Sequence, residues 1–255
     1  MGKRVENLKV IDNKHLTEDF CVLELKSELG LPALLPGQFV LVKVEGSPET
    51  FLRRPVSVHD VDYSENKLSL LIQVLGKGTE TLYKLDKGDC LNLLYPLGNS
   101  FSDPLQGESV LLVGGGTGIA PLLYLGKYLK NKGLRPVFLL GFRNLSRVIL
   151  TEEFNSLGDV YITTEDGSVG EKGYVTDHSV LSKIIFNRIY CCGPDAMMHA
   201  VAGFCKNKNI NCEVSLENLM ACGFGICLCC IAETTRGNLC TCTDGPVFNT
   251  KDLKW

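Results

Sequence analysis

The sequence predicts an α+β chain of two domains. An N-terminal antiparallel β-barrel spans 1–102, a parallel α/β domain spans 103–211, and a small cysteine-rich segment spans 212–255. Three observations predict it. The first hundred residues break into short Val-, Leu- and Ile-rich runs separated by Gly, Pro and Asp turns. The middle alternates apolar runs with helical stretches, the pattern of a parallel sheet covered on both faces. The last stretch holds six of the twelve cysteines, between Cys222 and Cys242, and too few apolar residues to build its own core.

In the first region strands are expected over 20–26, 38–44, 55–60, 67–74 and 90–94, with one short helix over 79–85. Turns such as Leu35-Pro36-Gly37 and Asp86-Lys87-Gly88 separate them, and several strands at this spacing suggest a small barrel. In the second, strands are expected over 109–113, 135–140, 159–164 and 189–192, and helices over 120–131, 151–156 and 197–206.

Composition excludes several classes. Of 255 residues 45% are hydrophobic and 22% charged, with a net charge of −3 and no long basic run, so nucleic acid is not an expected partner. The stretch 110–125 is uncharged over 16 residues but holds four Gly and a Pro, short of the ~20 apolar residues a membrane span needs. The basic start at Lys3 and Arg4 leads into no apolar run, so no signal peptide is expected, and Glu6 stands where myristoylation would want Ser or Thr. Twelve cysteines without a secretory signal point to metal or redox chemistry in a reducing, cytoplasmic setting rather than to disulfides.

The sharpest motif is Cys222-x4-Cys227-x2-Cys230, with Cys242 after eleven intervening residues. That is the spacing of plant-type 2Fe–2S ligation, in which four thiolates converge on two irons. Gly223 and Gly225 would let the loop wrap closely and turn its amides toward the sulfurs. The plainer alternative is zinc on Cys227, Cys230, Cys240 and Cys242, for which Cys240-x-Cys242 is a poor second pair. Cys229 reads as a non-ligand, and Cys240 competes with Cys242 for the fourth position.

A second motif, Gly114-Gly115-Gly116-Thr117-Gly118-Ile119-Ala120-Pro121, follows a buried strand and opens a helix, where free N–H groups and the helix dipole favour phosphate. It is not G-x-G-x-x-G, since Pro121 stands where the third Gly would be. A third, Arg53-Arg54-Pro55-Val56-Ser57, puts an Arg beside a stiff turn where it could hold a pyrophosphate, with Gly76-Lys77-Gly78-Thr79 opening a helix nearby. A fourth, Cys191-Cys192-Gly193-Pro194, closes a strand with a turn small enough to admit a flat ring. His15, His59, His178 and His199 show no metal spacing, and no Ser/His/Asp set is arguable, so no catalytic side chain is expected in this chain.

In this order the motifs resemble the ferredoxin–NADP reductase superfamily over nearly the whole chain, making the α/β unit a nucleotide-binding domain and 212–255 an iron–sulfur segment. Met220-Ala221-Cys222-Gly223-Phe224-Gly225-Ile226-Cys227 and Cys242-Thr243-Asp244-Gly245-Pro246-Val247-Phe248 look like the electron-transfer subunits of dihydroorotate dehydrogenase B. The resemblance implies FAD contacts at Arg54, Pro55, Val56, Ser57, Leu71, Ile72, Gln73, Gly78 and Thr79, with Gln73 standing where many relatives carry a basic residue. It implies nicotinamide-dinucleotide contacts at Gly115, Gly116, Thr117, Gly118, Cys192, Gly193 and Pro194, and a 2Fe–2S cluster on Cys222, Cys227, Cys230 and Cys242.

The expected function is an electron relay in pyrimidine biosynthesis. It would run between NADH and the FMN-containing catalytic subunit of a dihydroorotate dehydrogenase, through FAD and the cluster, within a heterotetramer. Rival readings are a reductase subunit of the sulfite reductase or ferredoxin transhydrogenase type, and a zinc-stabilised nucleotide-binding regulator. Arg143 and Arg147 follow the second α/β strand and could meet the 2′-phosphate of NADPH. Phe248, Leu253 and Trp255 would offer a docking surface unless the tail folds back on its own domain.

Overall fold

The computed structural model describes residues 2–47 and 49–255. The barrel strands are β1 (Arg4–His15), β2 (Phe20–Lys26), β3 (Phe39–Val42), β4 (Arg54–Asp62), β5 (Lys67–Gln73) and β6 (Cys90–Leu97), with α1 (Lys77–Tyr83) between the last two. They close in the order β1-β2-β5-β4-β3-β6, every pair antiparallel. Alternation explains the closure: Leu23, Val40, Val58, Leu70 and Leu93 all turn inward and are fully buried. Strand β1 was not among the expected elements. Polar or charged residues alternate with buried Glu6, Leu8 and Val10, and the strand takes its place by pairing with both β2 and β6.

The α/β domain follows as β7 (Val110–Gly115), a 3-10 turn at Gly116–Ile119, α2 (Ala120–Asn131), β8 (Val137–Phe142), α3 (Thr151–Asn155), β9 (Asp159–Thr164), β10 (Glu171–Lys172), α4 (Val180–Lys183), β11 (Arg188–Cys192), α5 (Asp195–Lys208) and β12 (Asn211–Ser215). A hairpin, β13 (Ile231–Thr234) with β14 (Gly237–Cys240), precedes β15 (Val247–Asn249). The sheet order is β10-β9-β8-β7-β11-β12-β15, parallel except for β15. The expected boundary at 211/212 thus falls inside a strand, and the C-terminal segment returns to the sheet as its antiparallel edge. Among the described residues no helix is long and apolar enough to cross a membrane.

The C-terminal segment compensates for its lack of a core by sharing the barrel's outer surface. Met220, Cys230, Cys240 and Cys242 pack with Phe39, Leu41, Leu94 and Leu97 of β3 and β6. At ~1.5–3 kcal/mol per fully buried apolar side chain, this seam is enough to hold the segment in place. Phe248 and Leu253 fold back on their own domain and are buried, so they offer no docking surface, whereas Trp255 lies on His199 of α5 with ring centroids 4.1 Å apart and keeps 41% of its surface exposed.

Candidate functional site

The cysteine loop is built as two sulfur pairs. The Phe224 N–H donates to Cys222 Sγ (3.3 Å), and Cys227 lies beside the same sulfur. The Gly225 N–H donates to Cys242 Sγ (3.3 Å), and the Cys242 N–H donates to Cys230 Sγ (3.4 Å). The amides of Phe224 and then Cys227 pull the Cys222 thiol down to about 6, whereas burial and then the Cys230 thiol push Cys242 up to about 12. Among the described residues no three His, Cys, Asp or Glu side chains close on a single point, as one metal ion would require. A two-iron cluster asks instead for two thiolates at each of two irons, which suits two pairs. Cys240 is oriented differently: its Sγ–H donates to the Gly225 carbonyl (3.8 Å), an acceptor that disfavours a thiolate.

The loop rests on the barrel at one tight point. Gly223 has φ +74°, and a Cβ there would meet Leu41 Cδ1 at 2.5 Å, so only glycine fits. Leu41 on β3 is the ladder partner of Pro55 on β4. The cysteine loop therefore rests on the strand next to the Arg54–Ser57 stretch, with the ~4.8 Å strand spacing between β3 and β4.

That stretch separates its two arginines. Arg53 is spent on the scaffold, donating to the Leu41 and Asn92 carbonyls (3.2 and 3.1 Å) and to Asn92 Oδ1 (2.5 Å). Among the described residues the Arg54 side chain makes no hydrogen bond or ion pair, and its Nε lies 3.3 Å from where a Cβ on Gly78 would be. Gly78 thus leaves a cradle bounded by Arg54 and Thr50 at the first turn of α1, of a kind that suits a phosphate. The Thr79 hydroxyl is committed to its own turn, accepting from Leu75 and Gly76 N–H (2.8 and 3.2 Å). Val56 and Ser57 are half-buried and Pro55 is exposed. Leu71 faces the α/β domain, but Ile72 points into the barrel core, so only its backbone can meet a ligand. Gln73 donates to Asp19 Oδ2 (3.5 Å), the carboxylate that also pairs with Arg147. Arg147 is therefore tied across the domain boundary, and of the two arginines after β8 only Arg143 remains free of such a pair among the described residues.

The second and fourth motifs meet at the carboxyl ends of β7 and β11. A Cβ on Gly118 would lie 2.2 Å from the Cys192 carbonyl and 2.5 Å from Gly193 Cα. A Cβ on Gly115 would meet Pro194 Cδ at 3.2 Å. Gly116 and Thr117 are half-open at this crevice, and β5 of the barrel lies close to the same turn. Parallel strands ending at such a crevice are a site for a dinucleotide.

A residue the motifs did not single out lines the same place. Glu217 follows β12 and accepts from the buried Cys192 Sγ–H at 3.9 Å. Its side chain is exposed to solvent beside the end of β11. The protein packed around it, and then the charge of Asp195, raise its carboxyl above the usual range. The only signal in sequence was an acid five residues ahead of Cys222. Five residues reach at most ~18 Å, so crevice and cysteine loop are neighbours by chain length alone.

Comparison with known proteins agrees with this arrangement. Residues 217–254 match the family described as the iron–sulfur cluster binding domain of dihydroorotate dehydrogenase B, and 112–203 match the oxidoreductase NAD-binding domain. The chain is 38% identical over 250 residues to the electron transfer subunit of dihydroorotate dehydrogenase B (NAD(+)) of Bacillus mycoides, covering 95% of this chain and 96% of that one. It is 39% identical over 245 residues to that of Clostridium acetobutylicum, covering 96% and 95%. Among solved structures it resembles an NADH-dependent reduced ferredoxin-NADP oxidoreductase with a TM-score of 0.89 at 29% identity, over 100% of this chain and 92% of that one. A ferredoxin reductase of carbazole 1,9a-dioxygenase shares the fold at a TM-score of 0.71 and 20% identity, over 82% of this chain and 67% of that one. With identities of 38–39% over nearly the whole of both chains, the chain belongs to the family of dihydroorotate dehydrogenase B electron-transfer subunits.

Proposed function

We propose that this chain carries electrons between NADH and the FMN-containing catalytic subunit of a dihydroorotate dehydrogenase, as part of a cytoplasmic heterotetramer serving pyrimidine biosynthesis. One observation carries the reading. The cysteine loop lies one strand from the Arg54–Ser57 stretch, and β4 and β5 of the same barrel pack against helix α2 and the Gly116–Ile119 turn that opens it. Three binding features in a row suit a relay.

When bound, NADH, FAD and a 2Fe–2S cluster supply hydride transfer and single-electron exchange. The chain's own residues would bind and orient them. Arg54 and the Gly78 cradle would take the flavin pyrophosphate, with Pro55, Val56, Ser57 and the backbone of Leu71, Ile72 and Gln73 along the flavin. The Gly115–Gly118 turn would take the dinucleotide phosphates, and the Cys192–Pro194 turn would admit the nicotinamide ring. Cys222, Cys227, Cys230 and Cys242 would hold the cluster. The amides aimed at Cys222, Cys230 and Cys242 support that set, and the carbonyl facing Cys240 argues against Cys240 as the fourth ligand.

Partner exchange tests the reading. The purified chain, mixed with a purified FMN-containing dihydroorotate dehydrogenase, is expected to form a stable complex by light scattering. In it NADH bleaches the FMN and dihydroorotate bleaches the FAD. Separate elution with no exchange in either direction would instead favour a reductase or transhydrogenase subunit, which the likeness to the ferredoxin-NADP oxidoreductase also allows.

Glu217 gives a second prediction. Its ionised carboxylate would stabilise the positive charge that develops on a nicotinamide losing hydride. Because its pKa is raised, flavin reduction by NADH should quicken as pH climbs through a value above the ordinary carboxylate range. Glu217→Gln should flatten that profile and slow the reaction roughly tenfold or more at neutral pH. An unchanged profile in stopped-flow absorbance would remove Glu217 from the site.

A further inference from the structure

Helix α2 starts where the glycine turn ends, so whatever fixes its first residue also fixes the turn. Among the described residues three polar contacts tie this helix to the barrel, at its first, fifth and eighth residues. His59 Nδ1 lies 2.9 Å from the Ala120 carbonyl, Tyr124 Oη donates to the Leu34 carbonyl at 2.8 Å, and Lys127 pairs with Asp60. The second and third lie ~6 Å and ~10 Å further along the axis, so they set the tilt of the helix more than the place of its start. Only His59 bonds to the residue adjoining the turn.

His59 stands on β4, two residues beyond Ser57, and is 2% exposed. A carbonyl can only accept, so Nδ1 carries the proton and the tautomer is fixed by this one partner. The charged groups around the ring are Asp60 on its own strand, Lys127 on α2 and Glu153 on α3. Burial, the largest influence, holds the imidazole below its ordinary range and keeps it neutral. One strand thus carries both the candidate flavin contacts and the donor that anchors the dinucleotide turn.

We infer that His59 is a positioning residue: its Nδ1–H···O=C bond to Ala120 sets the spacing between the dinucleotide turn and the flavin strand, and with it the approach of nicotinamide to flavin. This rests on the reading that Gly115–Gly118 binds NADH and β4 lies along FAD. Hydride transfer is steep in distance, and a misplacement of ~1 Å can cost ~10²-fold in rate. The bond is the device through which the barrel would set that distance.

The test uses the full chain loaded with FAD and cluster, as wild type, His59→Leu, His59→Asn and His59→Gln. Asn carries its amide nitrogen on Cγ, as His carries Nδ1, whereas Gln carries it one bond further out. Under anaerobic stopped flow, His59→Leu and His59→Gln should reduce flavin at least ~10-fold more slowly at saturating NADH, and His59→Asn should return to within ~3-fold of wild type. The dissociation constant for NADH and the flavin content should stay within ~2-fold throughout. Independently of turnover, nitrogen-15 spectra of histidine-labelled wild type should show a slowly exchanging Nδ1–H resonance that is missing in His59→Leu. A Leu variant that reduces at the wild-type rate overturns the inference. So does an Asn variant as slow as Gln, which would mark His59 as packing only; the Asn and Gln pair decides the matter if His59→Leu fails to fold. A wild type that NADH does not reduce overturns the underlying site assignment as well, whereas normal wild-type reduction with an indifferent His59 overturns the positioning role alone.

Discussion

Cys230→Ser and Cys242→Ser are each expected to purify without iron or acid-labile sulfide and to pass no electrons to the partner subunit. The thiolate is the ligand, and a serine hydroxyl cannot replace it at neutral pH. Both sulfurs are buried in the seam between the C-terminal segment and β3 and β6, so no solvent ligand can enter in their place. Cys222→Ser and Cys227→Ser should behave alike, although the exposed Cys227 could retain a labile remnant. Cys229→Ser and Cys240→Ser should keep the full complement, Cys229 because it lies outside the spacing and Cys240 because its sulfur faces the Gly225 carbonyl. Iron and sulfide per chain, assayed across all six variants, check the set. Loss in Cys240→Ser together with retention in Cys242→Ser would reassign the fourth ligand.

Arg54→Ala and Arg53→Ala should fail in different ways, although the two residues are adjacent and chemically identical. Arg54→Ala should lower FAD affinity by roughly a hundredfold or more, since hydrogen bonds to a charged group are worth ~1.5–3 kcal/mol each and a guanidinium can offer two. Its melting temperature without flavin should hardly move, because among the described residues the side chain has no protein partner. Arg53→Ala removes hydrogen bonds from the Leu41 carbonyl and from Asn92 Oδ1, whereas the Asn92 carbonyl keeps the Lys43 N–H, and each lost bond costs ~1 kcal/mol. It should lower the melting temperature by several degrees while the Arg54 cradle survives. Flavin titration and calorimetry of both variants separate the two effects. An Arg54→Ala chain that purifies with full FAD would remove Arg54 as the anchor.

Local pattern made much of the molecule readable from sequence. The expected strands over 20–26 and 159–164 and the helix over 120–131 match β2, α2 and β9 to the residue, because apolar periodicity and flanking turns act within a dozen positions. The spacing of Cys222, Cys227 and Cys230 and the glycine run after β7 are local for the same reason. What sequence left out is non-local. Strand β1 carries polar residues at alternate positions and exists because a barrel must close, pairing Arg4 with Tyr95 at one end and His15 with Cys21 at the other. Strands β12 and β15 are fixed by pairing with each other and with β11 rather than by a local signal, and together they anchor the cysteine segment to the sheet.

The sequence by itself determined the inventory: the four cysteines, the phosphate-type turns and the two classes of domain. Tertiary structure alone decided how the parts are used. It separated Arg53 from Arg54, turned Cys242 toward an amide and Cys240 toward a carbonyl, brought Glu217 beside Cys192, and set the cysteine loop on Leu41 across from Pro55. The physical reason is that residue type and spacing fix what a group can bind, whereas its partner and its burial depend on strands that pair over long stretches of chain.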